Sequence, residues 1–373
     1  MTAFSRTDQS VVARWWWTVD RWSIIAIATI IGIGAVLMLA ASPAVATRIG
    51  LDSFHFVKRQ IALLPPALLL MFVVSLLPPR QVRRLAAVGF LIGMALLVMT
   101  LFWGSEIKGA RRWITLAGLG LQPSEFVKPC FAVVAAWMFS EQRKGEGFPG
   151  DLLSIAFFLC IVALLLMQPD LGQTVVISAI WFTEYFLAGL PLAFVVLLAL
   201  MAGGGLVGAY YLFPHVASRI DRFLDPATGD TFQVDRGLEA FANGGLWGRG
   251  PGEGVIKSVI PDAHADFIFA VAGEEFGLIA CLIIVALFCF VLMRGFGRLL
   301  QESNLFVLLA GVGLLVQFGL QAIINMASTL HLMPTKGMTL PFVSYGGSSL
   351  LALALGVGMM LALTRRRYGA GDL

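Results

Sequence analysis

The feature that most constrains the fold is a series of apolar runs, each long enough to cross a membrane. About 20 apolar residues in a helix span the hydrocarbon core of a bilayer. Ten segments qualify: 22–45, 61–78, 85–103, 124–140, 152–167, 174–190, 191–213, 267–293, 304–326 and 347–364. Because 58% of the residues are hydrophobic and only 13% are charged, a soluble globular domain is excluded. The sequence predicts an all-α polytopic membrane protein with about ten transmembrane helices.

The apolar segments divide the chain into an N-terminal tail (1–21), a membrane domain (22–364) and a C-terminal tail (365–373). The first segment is long enough to span and follows a polar tail, so we expect a retained helix rather than a cleaved signal peptide. One large loop, 214–266, separates the seventh and eighth segments. Its Gly and Pro content indicates loops and short helices rather than an independent core.

The distribution of Lys and Arg predicts the orientation. With both termini in the cytoplasm, thirteen of these residues lie inside and twelve outside, and five of the twelve belong to the long loop. Long loops influence orientation less than short ones, so the balance favours cytoplasmic termini and an extracytoplasmic loop. The net charge of +4 does not indicate nucleic-acid binding, because the basic residues are scattered between apolar runs.

The four cysteines, Cys130, Cys160, Cys281 and Cys289, all lie within apolar segments. None has the close Cys/His spacing that a zinc site requires. We interpret them as packed apolar side chains. No cofactor or metal-ligand cluster is evident, and the participation of a divalent cation is left open.

Charged residues at the start of the fourth segment form the first candidate site. In "QPSEFVK", the Gln122-Pro123 pair predicts a helix start. Glu125 and Lys128 then lie three residues apart on one helix face. They form either a structural ion pair or, with Arg112 upstream, part of a cationic site for a phosphate-bearing ligand.

Asp170, in "QPDLGQT", opens the sixth segment with a similar Gln-Pro-acid pattern. A carboxylate in the first turn is stabilised by the helix dipole, so Asp170 is interpreted as a helix cap. The alternative is that it orients Lys128 or Arg112 in a shared cavity.

The segment "HLMPTKGMTLPFVSYGGSS", 331–349, lies between the last two apolar runs. Its prolines and glycines prevent a continuous helix, and irregular backbone at membrane depth requires protein or water to satisfy it. It is therefore predicted to line a cavity, where Lys336 contacts phosphate and the stretch Tyr345-Gly346-Gly347-Ser348-Ser349 brings N–H groups to a helix start. A packed structural turn is the alternative.

The most prominent single acid is Asp266 in "PDAHADFIFAVAGEE", where the long loop becomes the eighth segment. A carboxylate at this boundary is a candidate general base. Glu274 and Glu275 lie about 12–14 Å further along a helix, on other faces, and are expected to make polar contacts between helices rather than pair with Asp266. His264 either caps or tunes Asp266 or is simply solvated.

Together these segments resemble the SEDS family (shape, elongation, division and sporulation), through "GARRWI", "QPSEFVK", "QPDLG", "AHADFIFAVAGEE" and "PTKGMTLPFVSYGGSS" in this order. The resemblance covers nearly the whole chain after residue 20. It implies a peptidoglycan glycosyltransferase that polymerises lipid II and works with a class B penicillin-binding protein. "PTKGMTLPF" is closer to the division-type branch than to the elongation-type branch, which implies other division-complex membrane proteins as partners and a place at the septum of the bacterial inner membrane.

The resemblance also implies residue roles. Asp266 matches the family's essential external aspartate and is expected to remove the 4-OH proton of the acceptor N-acetylglucosamine. Arg112, Glu125 and Lys128 match the charged group of the fourth helix, and Asp170 matches the aspartate of the QPDLG turn. In this account Arg112, Lys128 and Lys336 stabilise the departing undecaprenyl pyrophosphate, and attack opposite this group inverts the anomeric centre to a β-1,4 link. Ala265 stands where Ser or Thr is common, so no hydroxyl is expected beside the base.

Three other functions remain open from the sequence: a lipid II flippase or transporter, a division scaffold, and an elongation-type polymerase. Buried charges in a helical bundle are also typical of transport pathways. Against transport, no inverted repeat is evident and the most prominent acid lies at one boundary of the membrane domain rather than midway.

Overall fold

The structure is a computed structural model that describes residues 10–107, 110–116, 119–145, 147–225, 231–334 and 336–366. Residues 1–9 of the predicted N-terminal tail and 367–373 of the predicted C-terminal tail lie outside the described residues. Before the membrane domain the structure has a short helix, α1 (Val11–Thr18), whose N-terminus is capped by the hydroxyl of Ser10.

Ten further helices correspond to the ten predicted apolar segments. They are α2 (Arg21–Arg48), α3 (His55–Ser75), α4 (Pro79–Trp103), α5 (Pro123–Gln142), α6 (Gly150–Met167), α7 (Leu171–Leu187), α8 (Leu192–Leu212), α11 (Ile268–Leu299), α12 (Leu305–Thr329) and α13 (Gly347–Leu363). Seven of them, all except α5, α7 and α13, are long and apolar enough to cross a membrane. The helical polytopic architecture is confirmed, whereas the number of helices that cross stays a prediction.

The long loop contains two helices, α9 (Pro214–Leu224) and α10 (Phe232–Gly244), and a 3-10 turn, Ile256–Ser258. Residues 226–230 of this loop lie outside the described part of the chain. Pro214 occupies the first turn of α9, where its missing N–H costs no intrahelical hydrogen bond.

A small antiparallel sheet, which the sequence analysis did not predict, precedes α5. Its strands are β1 (Ser105–Ile107), β2 (Ala110–Leu116) and β3 (Leu119–Leu121), in the order β1-β2-β3. Ser105 pairs with Trp113 across the first ladder, and Ile114 pairs with Leu121 across the second. Strands this short carry too few alternating positions to give a periodic signal, yet β2 is the element that holds Arg112.

The centre of the bundle is formed by α5 and α12. Helix α5 packs against α4, α6, α7, α12 and α13, and side chains along most of its length, including Phe131 and Phe139, are fully buried. Polar groups on these two helices, among them Lys128 and Gln321, are therefore withdrawn from lipid. A polar group buried in this way requires a partner within the protein.

Helix α11 is not the continuous span that the sequence predicted for 267–293. Gly277 has φ 76° and ψ −176°, so the helix is broken after its first two turns. Loop residues 245–250 lie in the break and satisfy the backbone groups that it exposes. The backbone hydrogen bonds are Arg249 N–H to Glu274 C=O (2.9 Å), Gly250 N–H to Glu275 C=O (3.0 Å) and Leu278 N–H to Gly245 C=O (2.9 Å).

The side chains of Glu274 and Glu275 also hold the loop. The fully buried Glu274 accepts hydrogen bonds from the N–H groups of Val255 (2.8 Å), Ile256 (2.7 Å) and Lys257 (2.8 Å), and from the side chain of Asn243 in α10 (3.0 Å). Glu275 forms a buried ion pair with Lys257. Glu274 thus makes one of the expected contacts between helices, with Asn243 of α10. The three N–H donors to Glu274 and the ion-pair partner of Glu275 belong instead to loop residues 255–257.

Candidate functional site

A cavity of about 800 Å³ opens between the sheet, the long loop and the 336–349 segment. It collects side chains from segments far apart in the sequence. Seven of the eight predicted site residues line it: Arg112, Glu125, Asp170, Asp266, Lys336, Tyr345 and Ser348. Lys128 does not.

Arg112 is held by the turn that precedes α7. Its guanidinium donates to the backbone carbonyls of Gln168 (3.1 Å) and Pro169, and its Nε lies 3.9 Å from Asp170 Oδ2. Asp170 caps α7 by accepting the N–H of Gln173 (3.3 Å). Both interpretations of Asp170 therefore apply, since this carboxylate caps a helix and also faces Arg112 within the cavity.

Glu125 and Lys128 form a buried ion pair with an Oε2–Nζ distance of 3.0 Å. Lys128 is fully buried and also donates to Gln321 Oε1 (3.3 Å), whose amide nitrogen donates to Thr339 Oγ1 (3.1 Å). Glu125 additionally accepts from Gln173. The ammonium group thus lies behind the cavity wall and connects α5, α12 and the 336–349 segment, as the ion-pair interpretation expects.

Asp266 is half-buried at the edge of the cavity, one residue before the cap of α11. Its backbone N–H donates to Asp262 C=O (3.1 Å), and its own C=O accepts from the side-chain amide of Asn325 (3.0 Å). On the opposite side, a Cβ added to Gly337 would lie 3.0 Å from Asp266 Oδ2. The backbone of Asp266 is therefore held by α12, and its carboxylate lies beside the 336–349 segment.

Lys336 reaches the same cavity from the start of the 336–349 segment. A Cβ added to Gly172, in the first turn of α7, would lie 3.7 Å from Lys336 Cδ and 3.8 Å from Asp170 Oδ1. The Lys336 stem thus passes close to the turn that carries Asp170. This brings a second basic side chain, beside Arg112, to the cavity that Asp266 also lines.

The segment that carries Lys336 is bound to the loop that carries Asp266. Ser344 donates to Ala265 C=O (2.6 Å), and the backbone N–H of Tyr345 donates to His264 C=O (2.9 Å). Ser348 is buried in the first turn of α13 and lines the cavity with Tyr345. The two walls of the site are therefore one hydrogen-bonded unit.

His264 is neither solvated nor a cap of Asp266. Its ring is buried and stacks on Phe56 with centroids 4.1 Å apart, and it also contacts Tyr345. Burial lowers the pKa of His264 to about 4, with Arg48 also lowering it and Asp262 opposing the shift. At neutral pH the His264 side chain is therefore uncharged and packs as an aromatic ring between Phe56 and Tyr345.

Arg59, Gln122 and Asp262 are among the cavity residues that sequence reasoning did not assign to the site. Arg59, in the first turns of α3, is hydrogen-bonded to Tyr345, and Gln122 donates to Asp170 (3.4 Å). Arg59 stands beside Lys58 at the end of a short loop, a pattern that is typical of an interfacial anchor. The Gln122-Pro123 pair predicts a helix start, but the pattern does not show that the Gln122 amide contacts Asp170.

The cavity has a mixed electrostatic character. Three basic residues (Arg59, Arg112 and Lys336) and four acidic residues (Glu125, Asp170, Asp262 and Asp266) line it. Within the described ranges, no group of three or more His, Cys, Asp or Glu side chains has an arrangement that could hold a metal ion. The arrangement places a carboxylate able to accept a proton in the same cavity as cations able to stabilise an anion.

Comparison with known proteins supports the resemblance inferred from the motifs. A protein of Caulobacter vibrioides, named "probable peptidoglycan glycosyltransferase FtsW", is 47% identical over 99% of this chain and 95% of its own length. A protein of the same name from Coxiella burnetii is 36% identical over 93% and 96%.

Two solved structures superpose on almost the whole chain. A chain from a structure described as a peptidoglycan synthase complex that coordinates polymerization and crosslinking superposes with a TM-score of 0.77 at 30% identity, covering 93% of this chain and 97% of that chain. The rod-shape-determining protein RodA of Thermus thermophilus superposes with a TM-score of 0.67 at 28% identity, covering 94% and 97%. Residues 21–369 also match the family model of the cell cycle proteins FtsW, RodA and SpoVE. This chain therefore belongs to that family of multi-pass membrane proteins.

Proposed function

We propose that this protein is a peptidoglycan glycosyltransferase that polymerises lipid II. The observation that carries the proposal is the shared cavity, in which Asp266, Arg112 and Lys336 arrive from three different parts of the chain. The relatives that match almost end to end bear the name of this activity. The function therefore rests on the named relatives and on a site with suitable chemistry.

In the proposed reaction, Asp266 removes the proton of the acceptor sugar 4-OH as this oxygen attacks the muramyl anomeric carbon of the donor. The bond from that carbon to the undecaprenyl pyrophosphate breaks, and the pyrophosphate leaves with the electron pair. Attack from the opposite face inverts the centre and gives a β-1,4 link. One carboxylate suffices because a pyrophosphate leaving group does not need the acid that a glycosidase supplies.

The cavity geometry divides the basic residues into two roles. Arg112 and Lys336 line the cavity and are proposed to stabilise the departing pyrophosphate, with Arg59 as a third candidate. Lys128 lies behind the wall and is proposed to act by positioning Glu125 and Gln321. Tyr345 and Ser348 complete the proposed substrate-binding wall.

The named relatives and the distribution of basic residues also support a proposed cellular setting. We propose that the protein acts at the septum of the bacterial inner membrane, with both termini in the cytoplasm and Asp266 on the outer face. A class B penicillin-binding protein and other division-complex membrane proteins are the proposed partners. The FtsW name of the relatives supports the division branch, and the superposition on a peptidoglycan synthase complex supports a transpeptidase partner.

The direct test is polymerisation of lipid II by the purified protein, with and without its cognate transpeptidase. Asp266→Asn is expected to reduce the polymerisation rate by about 10²–10⁴-fold, the usual contribution of a general base, while the thermal melting temperature stays the same. The matched control is Asp262→Asn, which removes a second cavity carboxylate four residues away. Asp262 has φ 54°, a conformation that Asn tolerates. The polymerisation rate of this variant is expected to fall by less than about tenfold.

Polymer formation by Asp266→Asn at the normal rate would show that Asp266 is not the base. If the wild-type protein made no polymer under either condition but moved labelled lipid II across vesicle membranes, the protein would be a transporter instead.

A further inference from the structure

A second cavity lies at the opposite end of the bundle. It has a volume of about 410 Å³ and lies where α4 begins, α5 ends and α12 begins. Helix α5 runs from Glu125 in the first cavity to Ser140 in the second. At 1.5 Å per residue this is about 22 Å along the helix, so the two cavities lie near opposite faces of a bilayer.

Basic residues dominate the lining of this second cavity. Four cationic side chains (Arg80, Arg83, Arg143 and Lys144) face one acidic side chain, Glu141. The cavity also reaches Leu305 and Phe306, the first two residues of α12, whose N–H groups have no partner within the helix. Both the side chains and the helix end favour an anion.

Protein partners compensate only part of this positive charge. Glu141 accepts from Arg83 (3.3 Å), Lys144 (3.0 Å) and Trp137 (3.0 Å), and Arg143 pairs with Asp151. Nearby, the Glu302 carboxylate accepts the N–H of Asn304 (3.2 Å). Arg80 is exposed and, within the described residues, forms no ion pair.

The surface next to the cavity is apolar and continuous with it. On α4, Arg80 is followed on the same helix face by Arg84, Val88 and Leu91, and the last two are 57% and 65% exposed. In a membrane helix such a face contacts acyl chains. A molecule that fills the cavity and follows this face thus requires an anionic head and apolar chains.

We propose that this cavity binds the phosphate headgroup of an anionic phospholipid, with Arg80 and Lys144 as its principal contacts and the acyl chains along α4. Basic pockets between helices at a membrane surface are suited to such headgroups. The guanidinium of Arg83 also lines the cavity and is held 4.8 Å from the centre of the Trp137 ring. This site is separate from the proposed lipid II site and does not depend on glycosyltransferase activity.

The test uses the full-length purified protein with equimolar phosphatidylglycerol and phosphatidylcholine, and native mass spectrometry of the retained lipids. We expect a preference for phosphatidylglycerol, and we expect Arg80→Gln to reduce this preference about fivefold, the effect of one charge near a membrane surface. Arg14→Gln is the matched control, because Arg14 is also exposed, lies in the helix that contacts Ser75 just before α4, and does not line the cavity; it is expected to change the preference less than twofold.

Lys144→Gln, on another element, is expected to reduce the preference as Arg80→Gln does. Unchanged thermal melting temperatures would show that each variant is folded. Equal losses with Arg80→Gln and Arg14→Gln, or no preference in the wild-type protein, would overturn the proposal. Millimolar inorganic phosphate that displaced the lipid completely would assign the cavity to a soluble anion instead.

Discussion

Helix α8 and residues 243–257 of the loop that follows it are held in different ways. Nearly all the described side chains of α8 are exposed or half-buried, and the helix packs mainly against α9. Residues 243–257, by contrast, are bound to α11 by both side chains and backbone. The segment that leads to Asp266 is therefore the one that is fixed.

This difference indicates where the fold requires rigidity. Catalytic groups misplaced by about 1 Å lose roughly 100-fold in rate, so a loop that carries a base benefits from many independent attachments. Helix α8 has no such requirement and presents apolar surface to its surroundings. Four substitutions or conditions test this contrast, in order of decreasing expected effect.

The largest effect is expected for Gly248→Ala. Gly248 has φ +83°, and an added Cβ would lie 2.1 Å from the Glu275 carbonyl oxygen, so the loop would be forced out of the break in α11. We expect a loss of about 3 kcal/mol or more in stability and at least a tenfold lower polymerisation rate. Thermal unfolding in detergent and the lipid II assay would measure these two effects.

The control for this substitution is Gly252→Ala, since Gly252 has a similar φ of +87° but no atom within 4 Å of an added Cβ. It retains the backbone strain without the clash, so it is expected to lose only about 1 kcal/mol. Equal losses in the two variants would mean that the close approach to α11 is unimportant.

The next effect is expected for Glu274→Gln. The carboxylate accepts four hydrogen bonds, and a carboxamide would oppose at least one donor with its own N–H₂ group. We expect about 2 kcal/mol of destabilisation, seen as a lower melting temperature. Glu253→Gln in the same loop is exposed and should change stability by less than about 0.5 kcal/mol; a comparable loss there would contradict the role of Glu274.

Acidification to pH 5 is expected to have an effect of similar size, through His264. Its pKa is about 4 in the folded protein and about 6.5 when unfolded. The folded state therefore binds the proton less well, so stability is fully present above pH 6.5 and is lost as the pH falls toward 4. The loss should reach roughly 2 kcal/mol at pH 5. His264→Phe, which keeps an aromatic ring against Phe56, should remove this part of the pH dependence; an unchanged profile would rule out His264 as its source.

The smallest effect is expected for Leu200→Ala in α8. Leu200 is 69% exposed, so truncation removes little packing within the protein. Stability in detergent should change by less than about 0.5 kcal/mol. A loss of stability similar to that of Gly248→Ala would mean that α8 and residues 243–257 are equally fixed.

The sequence predicted the helical segments because apolar runs of membrane length have few alternatives to helix. It also grouped Asp266, Arg112, Asp170 and Lys336, because ionisable residues beside apolar runs are rare enough to stand out. Their assembly into one cavity agrees with that grouping. Their catalytic and binding roles remain predictions.

Other features depend on distant contacts that no local pattern encodes. The break at Gly277 is stable because loop residues 245–250 supply its hydrogen bonds, and these residues lie about 30 positions earlier in the chain. The burial of Lys128 behind the cavity depends on Gln321, nearly 200 residues later. Arg59 reaches the cavity through the packing of α3 against α13.

The broken helix also restricts how the chain can vary in length. The hydrogen bond from Gly250 N–H to Glu275 C=O closes residues 250–275 into a ring that contains Asp266 and the first turns of α11. An inserted or deleted residue within this ring would shift Asp266 relative to the break or detach one end of the ring. Insertions that function normally, such as epitope tags, are therefore expected only outside this stretch of the loop.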